Sequence, residues 1–351
     1  MTVASLKSGS LSPFAYRFAR AGRVPKAALT RHVERVLSIP SEIALRAMNS
    51  PLLERARGRT GHVHRRPMRN DGWTAPVLDA PSAAIVAALD RDGAFATSLD
   101  DLALPSTGAM FEAANVLSQR LGERSQRPDL KDRAIVSATA DDLMAWPAVF
   151  HWGLNERLLD IVEVYLGQRC AYDGVAHYYS RADGREISTR VWHRDREDVR
   201  TVKVAIYVND VGQDGGPFEI LDPQYQRVLD AQLSWRYAAI NHARLIAAVG
   251  PDAAARAVRT FTGLRGTVVL VDTARCHHRG KPPVRFDRSA IFYSYFSRSP
   301  RHPFFCERST LRRPHLHQLA HDLPQRARDC VLWRDALPLT SRLIPRSYLT
   351  V

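Results

Sequence analysis

The sequence predicts a mainly β fold, an antiparallel β-core covered by helices. Between Pro81 and Leu166 apolar residues recur at three- and four-residue spacing, the mark of amphipathic helices. After Leu166 the stretches become short, rich in Val, Ile and Tyr, and bounded by Gly, Asp or Pro, as strands are. A helical stretch, residues 223–262, interrupts them.

Taken in order, Ser41 to Arg57 is a helical candidate broken by Pro51, and Gly58 to Pro76 reads as a linker rich in Gly, Pro, His and Arg. Ser82 to Asp90 is a helix with Ser82 as its cap and Gly93 as its stop. Helices follow near Gly108–Leu121, Asp141–Phe150 and Asn155–Leu166. The predicted strands are Gly174–Ser180, Ile187–His193, Val202–Asn209, Phe218–Leu221, Gly266–Asp272 and Ser289–Phe296. Within the insertion, Ala238–Val249 and Ala253–Arg259 are expected to be helical. Residues 1–80 form a basic N-terminal extension, 81–300 the main domain and 301–351 a C-terminal extension packing on it.

Charge is unevenly placed. The net charge is +14, and residues 1–70 hold 14 Lys and Arg against 3 acidic residues, leaving a nearly neutral body. This arm is expected to be dispensable for chemistry. It reads as a contact for an anionic surface or membrane, as an organelle-targeting segment, or as a solvated basic face. Arg outnumbers Lys 45 to 5, a bias that reads as genome composition, so nucleic acid is not the expected partner. No apolar run reaches the roughly 20 residues that span a bilayer, and no secretory signal is expected. Cys170, Cys276, Cys306 and Cys330 are far apart, with neither ligand spacing nor a disulfide framework. They are read as structural, in a reducing cytoplasmic setting.

The chemistry lies in Thr189-Arg-Val-Trp-His-Arg-Asp195. On a strand His193 and Asp195, two apart, point to the same side, while Trp192 points away into packing. An imidazole and a carboxylate so placed can take adjacent corners of an octahedral iron(II). A histidine from a distant strand then completes a two-His-one-carboxylate triad with open positions. That histidine is His277 or His278, which follow the strand Gly266–Asp272. Ten residues after His278, Arg288 opens the next strand, where a guanidinium can clamp the distal carboxylate of a dicarboxylate. Lys203 and Tyr179 are further candidates for contact with that cosubstrate, with Tyr178 and Tyr207 alternating nearby.

From about Ser82 to Phe296 the chain resembles the phytanoyl-CoA dioxygenase family of iron(II)/2-oxoglutarate oxygenases. The resemblance rests on Leu89-Asp-Arg-Asp-Gly93, Trp192-His-Arg-Asp195, Val202-Lys-Val-Ala-Ile-Tyr-Val-Asn209, Gly215-Gly-Pro-Phe-Glu-Ile-Leu221, Asp272 to His278, and Arg288. It implies a double-stranded β-helix, or jelly roll. It also implies iron at His193, Asp195 and His278, since His-Arg-Gly is the family form, with 2-oxoglutarate at Arg288 and dioxygen as oxidant. The implied reaction hydroxylates an unactivated C–H bond of a small molecule or acyl substrate, releasing succinate and carbon dioxide. The intact carboxylate at Asp195 argues against halogenation. One departure stands out: the family continues its Gly-Gly strand with Pro-Gly-Ser-His, whereas Leu221 is followed here by Asp222-Pro-Gln-Tyr225. Two other readings are a silent binding protein recruited through the basic arm, and a cupin-type metalloenzyme that does not use 2-oxoglutarate.

Overall fold

The computed structural model describes residues 36–50, 72–307, 309–339, 344 and 347. Most of the basic arm, residues 58–71 of the expected linker and the end of the helix expected over Ser41–Arg57 lie outside the described residues.

Among the described residues nine strands form two antiparallel sheets. The larger runs β1 (Ala94–Ser98), β7 (Thr267–Asp272), β4 (Val202–Tyr207), β9 (Arg288–Ser297), β3 (Cys170–Ser180), β2 (Ile135–Ser137). The smaller runs β6 (Val258–Phe261), β5 (Phe218–Leu221), β8 (His278–Gly280). Alternation divides each strand between two environments. Val202, Val204 and Ile206 of β4 turn outward with Val268, Leu270, Ile291 and Tyr293. There they meet helices α2 (Ala80–Asp92), α3 (Thr107–Ser125) and α4 (Glu156–Leu166), through Leu89, Leu117, Leu121, Leu158 and Ile161. Ala205, Tyr207, Val269, Val271 and Ala290 turn the other way and pack on Phe218 and Ile220 of the smaller sheet. The space between the sheets therefore takes the inward residues of β3, β4, β8 and β9.

Helix α2 is capped by Asp79, not Ser82: the Asp79 carboxylate accepts from the Ser82 amide, and Gly93 in the left-handed region ends the helix. Pro147 splits the helix expected over Asp141–Phe150 into Ala140–Ala145 and Pro147–His151. The insertion carries α5 (Pro223–Gln232), α6 (His242–Val249) and α7 (Pro251–Ala257). Helix α6 starts later than expected, at its Asn241 cap, because Ile240 is drawn into a bridge with Trp192. Val258 and Arg259, expected to be helical, pair instead with Leu221 and Ile220. The expected strand Ile187–His193 is also absent. Ser188 takes φ 55° and starts a 3-10 turn, leaving isolated bridges at Trp192 and His193.

Part of the N-terminal extension belongs to the core. Leu45 of α1 (Ile39–Met48) is fully buried against Tyr237, Phe304 and Phe305. Glu42 pairs with Arg196 at 2.7 Å, and Asn49 Nδ2 lies 3.1 Å from His302 Nε2. Helices elsewhere hide apolar faces in the same way, and charged flanks gave α1 the look of an arm. Leu45→Ala should lower unfolding stability by about 2–5 kcal/mol, measured by urea titration. A chain starting at Asp71 should lose more, because it uncovers the whole aromatic patch. No helix among the described residues is long and apolar enough to cross a membrane.

Candidate metal centre

The segment after Arg190 is extended and runs beside β8. His193 and His278 exchange both backbone hydrogen bonds, at 3.1 and 2.9 Å. Such a pair holds two side chains on one face of the sheet, and the imidazole centroids are 4.3 Å apart. Asp195 lies two residues on, its amide held by Thr273 O at 3.0 Å. One ligand atom from each of His193, Asp195 and His278 falls within 4.8 Å of the others. Exposures of 6%, 2% and 3% withdraw all three from bulk water.

Orientation comes from the backbone. His193 Nδ1 lies 2.8 Å from Val191 O and so donates to it, which puts the lone pair on Nε2. His278 Nδ1 faces Cys276 O at 3.4 Å, and its Nε2 lies 4.0 Å from Asp195 Oδ2. Burial alone would raise the Asp195 carboxyl. The Lys203 ammonium, His278 and His193 overcome burial and hold it far below the ordinary carboxylate range. Burial also keeps His278 neutral by pushing its pKa well down. Two neutral imidazoles and one carboxylate are the donor set a divalent first-row metal takes. Asp195 Oδ2 is buried and receives no well-directed hydrogen bond, although Lys203 Nζ stands 2.6 Å away as an ion-pair partner. The residues therefore fit a dication.

His277 points the other way. Its Nε2 is 3.1 Å from Ala238 O and its Nδ1 3.2 Å from Gln226 Oε1, against the insertion. Burial, then Arg194, depresses its pKa to about 3, so it stays neutral. Trp192 likewise packs on Leu221, Leu229 and Ile240.

Arg288 is buried at the start of β9. Its Nη1 donates to Gly216 O, and its Nη2 lies 3.5 Å from Ser180 Oγ. Among the described residues no carboxylate pairs with it within 4.0 Å, and burial lowers its pKa to about 10. Two glycines make its seat. Gly216 takes φ 72°, and a Cβ there would collide with Lys281 O and stand 2.7 Å from Pro283 N. A Cβ on Gly280 would overlap Arg288 Nη2 and stand 3.1 Å from its Cζ. Gly280 lies two residues from His278 on the same face of β8, a step of roughly 7 Å. Gly280→Ala should displace the guanidinium. We expect weaker dicarboxylate binding with metal affinity within about twofold of the parent, read by calorimetry of each ligand.

The other two candidates separate. Lys203 is brought into the site by its contact with Asp195. Tyr179 is not: it sits on the helix-covered side of β3, its hydroxyl donating to Asp287 Oδ2 at 2.8 Å. Strand alternation puts Tyr178 inward, tilted against Phe292 at 5.6 Å. Tyr207 is inward too, but its hydroxyl is spent on Phe261 O and the Phe218 amide.

Several supports escaped the sequence reading. Arg279 turns outward from β8, paired with Glu219 at 2.7 Å and Glu186 at 2.8 Å, and lies over Trp192. It fixes the strand that carries His278. The Asp272 carboxylate accepts from the Ala274 and Arg275 amides and from the Tyr165 hydroxyl, shaping the turn between β7 and β8. An Asp closing a strand before Thr-Ala was the readable signal for that turn.

No family model and no curated protein matches the sequence. Solved structures similar to the chain include AviO1 from Streptomyces viridochromogenes, at 19% identity over 64% of this chain and 98% of that one, TM-score 0.43. EctD from S. alaskensis is similar at 20% identity over 69% and 86%, TM-score 0.44. HygX from Streptomyces hygroscopicus, solved with nickel and 2-oxoglutarate bound, is similar at 15% identity over 66% and 90%, TM-score 0.42. At such scores the functional reading rests on the residues themselves.

Proposed function

We propose that the chain is an iron(II)- and 2-oxoglutarate-dependent oxygenase of the phytanoyl-CoA dioxygenase kind, built on a double-stranded β-helix. The carrying observation is Arg288: a buried guanidinium on β9 with no carboxylate partner among the described residues, packed against Gly280, which lies two residues along β8 from His278 of the His-Asp-His donor set. A buried cation left uncompensated is costly, and a bound dicarboxylate would offset that cost bidentately. In this reading His193, Asp195 and His278 hold iron(II), and Arg288 holds the distal carboxylate of 2-oxoglutarate. Lys203, beside Asp195, would place its ammonium near an anionic cosubstrate bound there. Iron and 2-oxoglutarate together supply the activation of dioxygen needed to oxidise an unactivated C–H bond. The protein's own part is to orient the substrate carbon and exclude water, which the burial of all three ligands favours.

The test is succinate formation from 2-oxoglutarate on admitting air to the anaerobic iron-loaded protein, across a panel of small-molecule and acyl substrates. Oxidation of a panel member matched by succinate supports the reading. Failure to consume 2-oxoglutarate, even uncoupled, counts against it. A second reading, a barrel that binds without turnover, draws on the Lys203–Asp195 pair, in which an ammonium already serves the carboxylate. Iron uptake by Lys203→Ala but not by the parent would favour that reading. Residues 1–70 would in either case contact an anionic surface, checked by salt-sensitive binding to anionic vesicles.

A further inference from the structure

The four cysteines are not equivalent in space. Cys170 opens β3, and Cys330 lies 160 positions later on α8 (Gln325–Val331). Their sulfurs are 3.7 Å apart, and both residues are buried. Cys276 packs between the two sheets, and Cys306 faces His302 O beside Trp333. Neither comes near another sulfur among the described residues.

Glu163 is the third group at the spot, and together the three could suggest a metal site. Its carboxylate is already served. Oε1 accepts from the Cys170 amide at 3.2 Å, and Oε2 accepts from Trp73 Nε1 at 3.1 Å and Arg326 Nη2 at 3.0 Å. A guanidinium occupies the place a cation would take, so the two sulfurs are left to each other. A disulfide needs about 2 Å between sulfurs, within reach of small side-chain rotations from the distance observed.

We propose that Cys170 and Cys330 form a reversible disulfide that fastens the C-terminal helix to the larger sheet. The reaction is two thiols plus one hydrogen peroxide giving one disulfide and two waters. One thiol gives up its proton and its sulfur takes an oxygen from peroxide, becoming a sulfenic acid; the hydroxide released takes up that proton and leaves as the first water. The second sulfur attacks it, the S–S bond forms, and the second water leaves. Each sulfur is oxidised and the peroxide is reduced; a dithiol reverses the change.

In the reduced protein α8 is held by the burial of Ala327 and Val331 in the core and by charge. Arg326 reaches Glu156, Asp160 and Glu163 at 2.6 to 3.0 Å. The helix has only seven residues and no side-chain cap at Pro324, so it can lift locally and admit the oxidant. Arg326→Ala removes the ionic hold and should speed disulfide formation several-fold.

The test uses the full chain in chelator, so that no bound metal generates oxidants. The protein is treated with hydrogen peroxide, alkylated in denaturant, and peptide-mapped without reduction. We expect two of the four thiols to disappear. A cross-linked peptide should join residues 170 and 330 and be lost on dithiothreitol treatment, with the thermal midpoint about 5–10 °C higher in the oxidised form. Cys330→Ser should keep its remaining thiols alkylatable after the same treatment. Four alkylated thiols after oxidation, separate sulfinic acids at the two positions, or a cross-link to any other cysteine would overturn the proposal.

Discussion

His278→Ala should lose metal affinity by more than about 100-fold and abolish succinate formation, whereas His277→Ala should keep most of both. The two residues are neighbours, yet β8 sends them to opposite faces. His278 shares a hydrogen-bonded cross-strand pair with His193, and its Nε2 approaches Asp195. With it gone, two donors remain, beside the ammonium of Lys203. His277 lies against Ala238 O and Gln226, so its removal leaves buried polar groups in the insertion poorly served. That should cost about 1–3 kcal/mol of stability and little metal. Metal content of the purified variants, with thermal melts alongside, checks both halves. Retention of metal in His278→Ala with loss in His277→Ala would put the wrong histidine in the site.

Arg288→Ala should weaken 2-oxoglutarate binding by about 100-fold or more while changing iron affinity little. A bidentate guanidinium–carboxylate contact made out of water is among the stronger polar contacts. Arg288→Lys should recover only part of the loss, because an ammonium cannot reproduce the planar fork. Its seat also suits a guanidinium, with Gly216 O accepting from it and Gly280 leaving room for it. Equal losses of iron and 2-oxoglutarate would show that Arg288 holds the sheets together and does not bind the cosubstrate. Direct titration of each ligand against parent and variants makes the distinction.

The legible features are those that local chemistry dictates. Short runs rich in Val, Ile and Tyr marked β4, β5, β7 and β9 nearly in full, because these strands are buried on both faces. The two-residue step from His193 to Asp195 was readable as a shared face even though the expected strand proved to be a turn and a pair of bridges. What could not be read depends on distant partners. β6 and β8 span four and three residues, and pairing with β5 makes them strands. Adjacent Tyr178 and Tyr179 must face opposite sides, but only the packed sheet decides which side is inward. Arg279 finds Glu219 and Glu186 across the fold, and Leu45 finds Phe304 and Phe305. The Cys170–Cys330 contact spans 160 positions, beyond any spacing rule.

The most direct measurement is an anaerobic titration of the metal-free protein with iron(II) and 2-oxoglutarate, followed in the visible range. An iron site at His193, Asp195 and His278 should give a weak charge-transfer band that requires both additions, saturates at one iron and one 2-oxoglutarate per chain, and is missing in His278→Ala. No band, together with no iron retained after desalting, would mean that these three residues do not form an iron site served by Arg288.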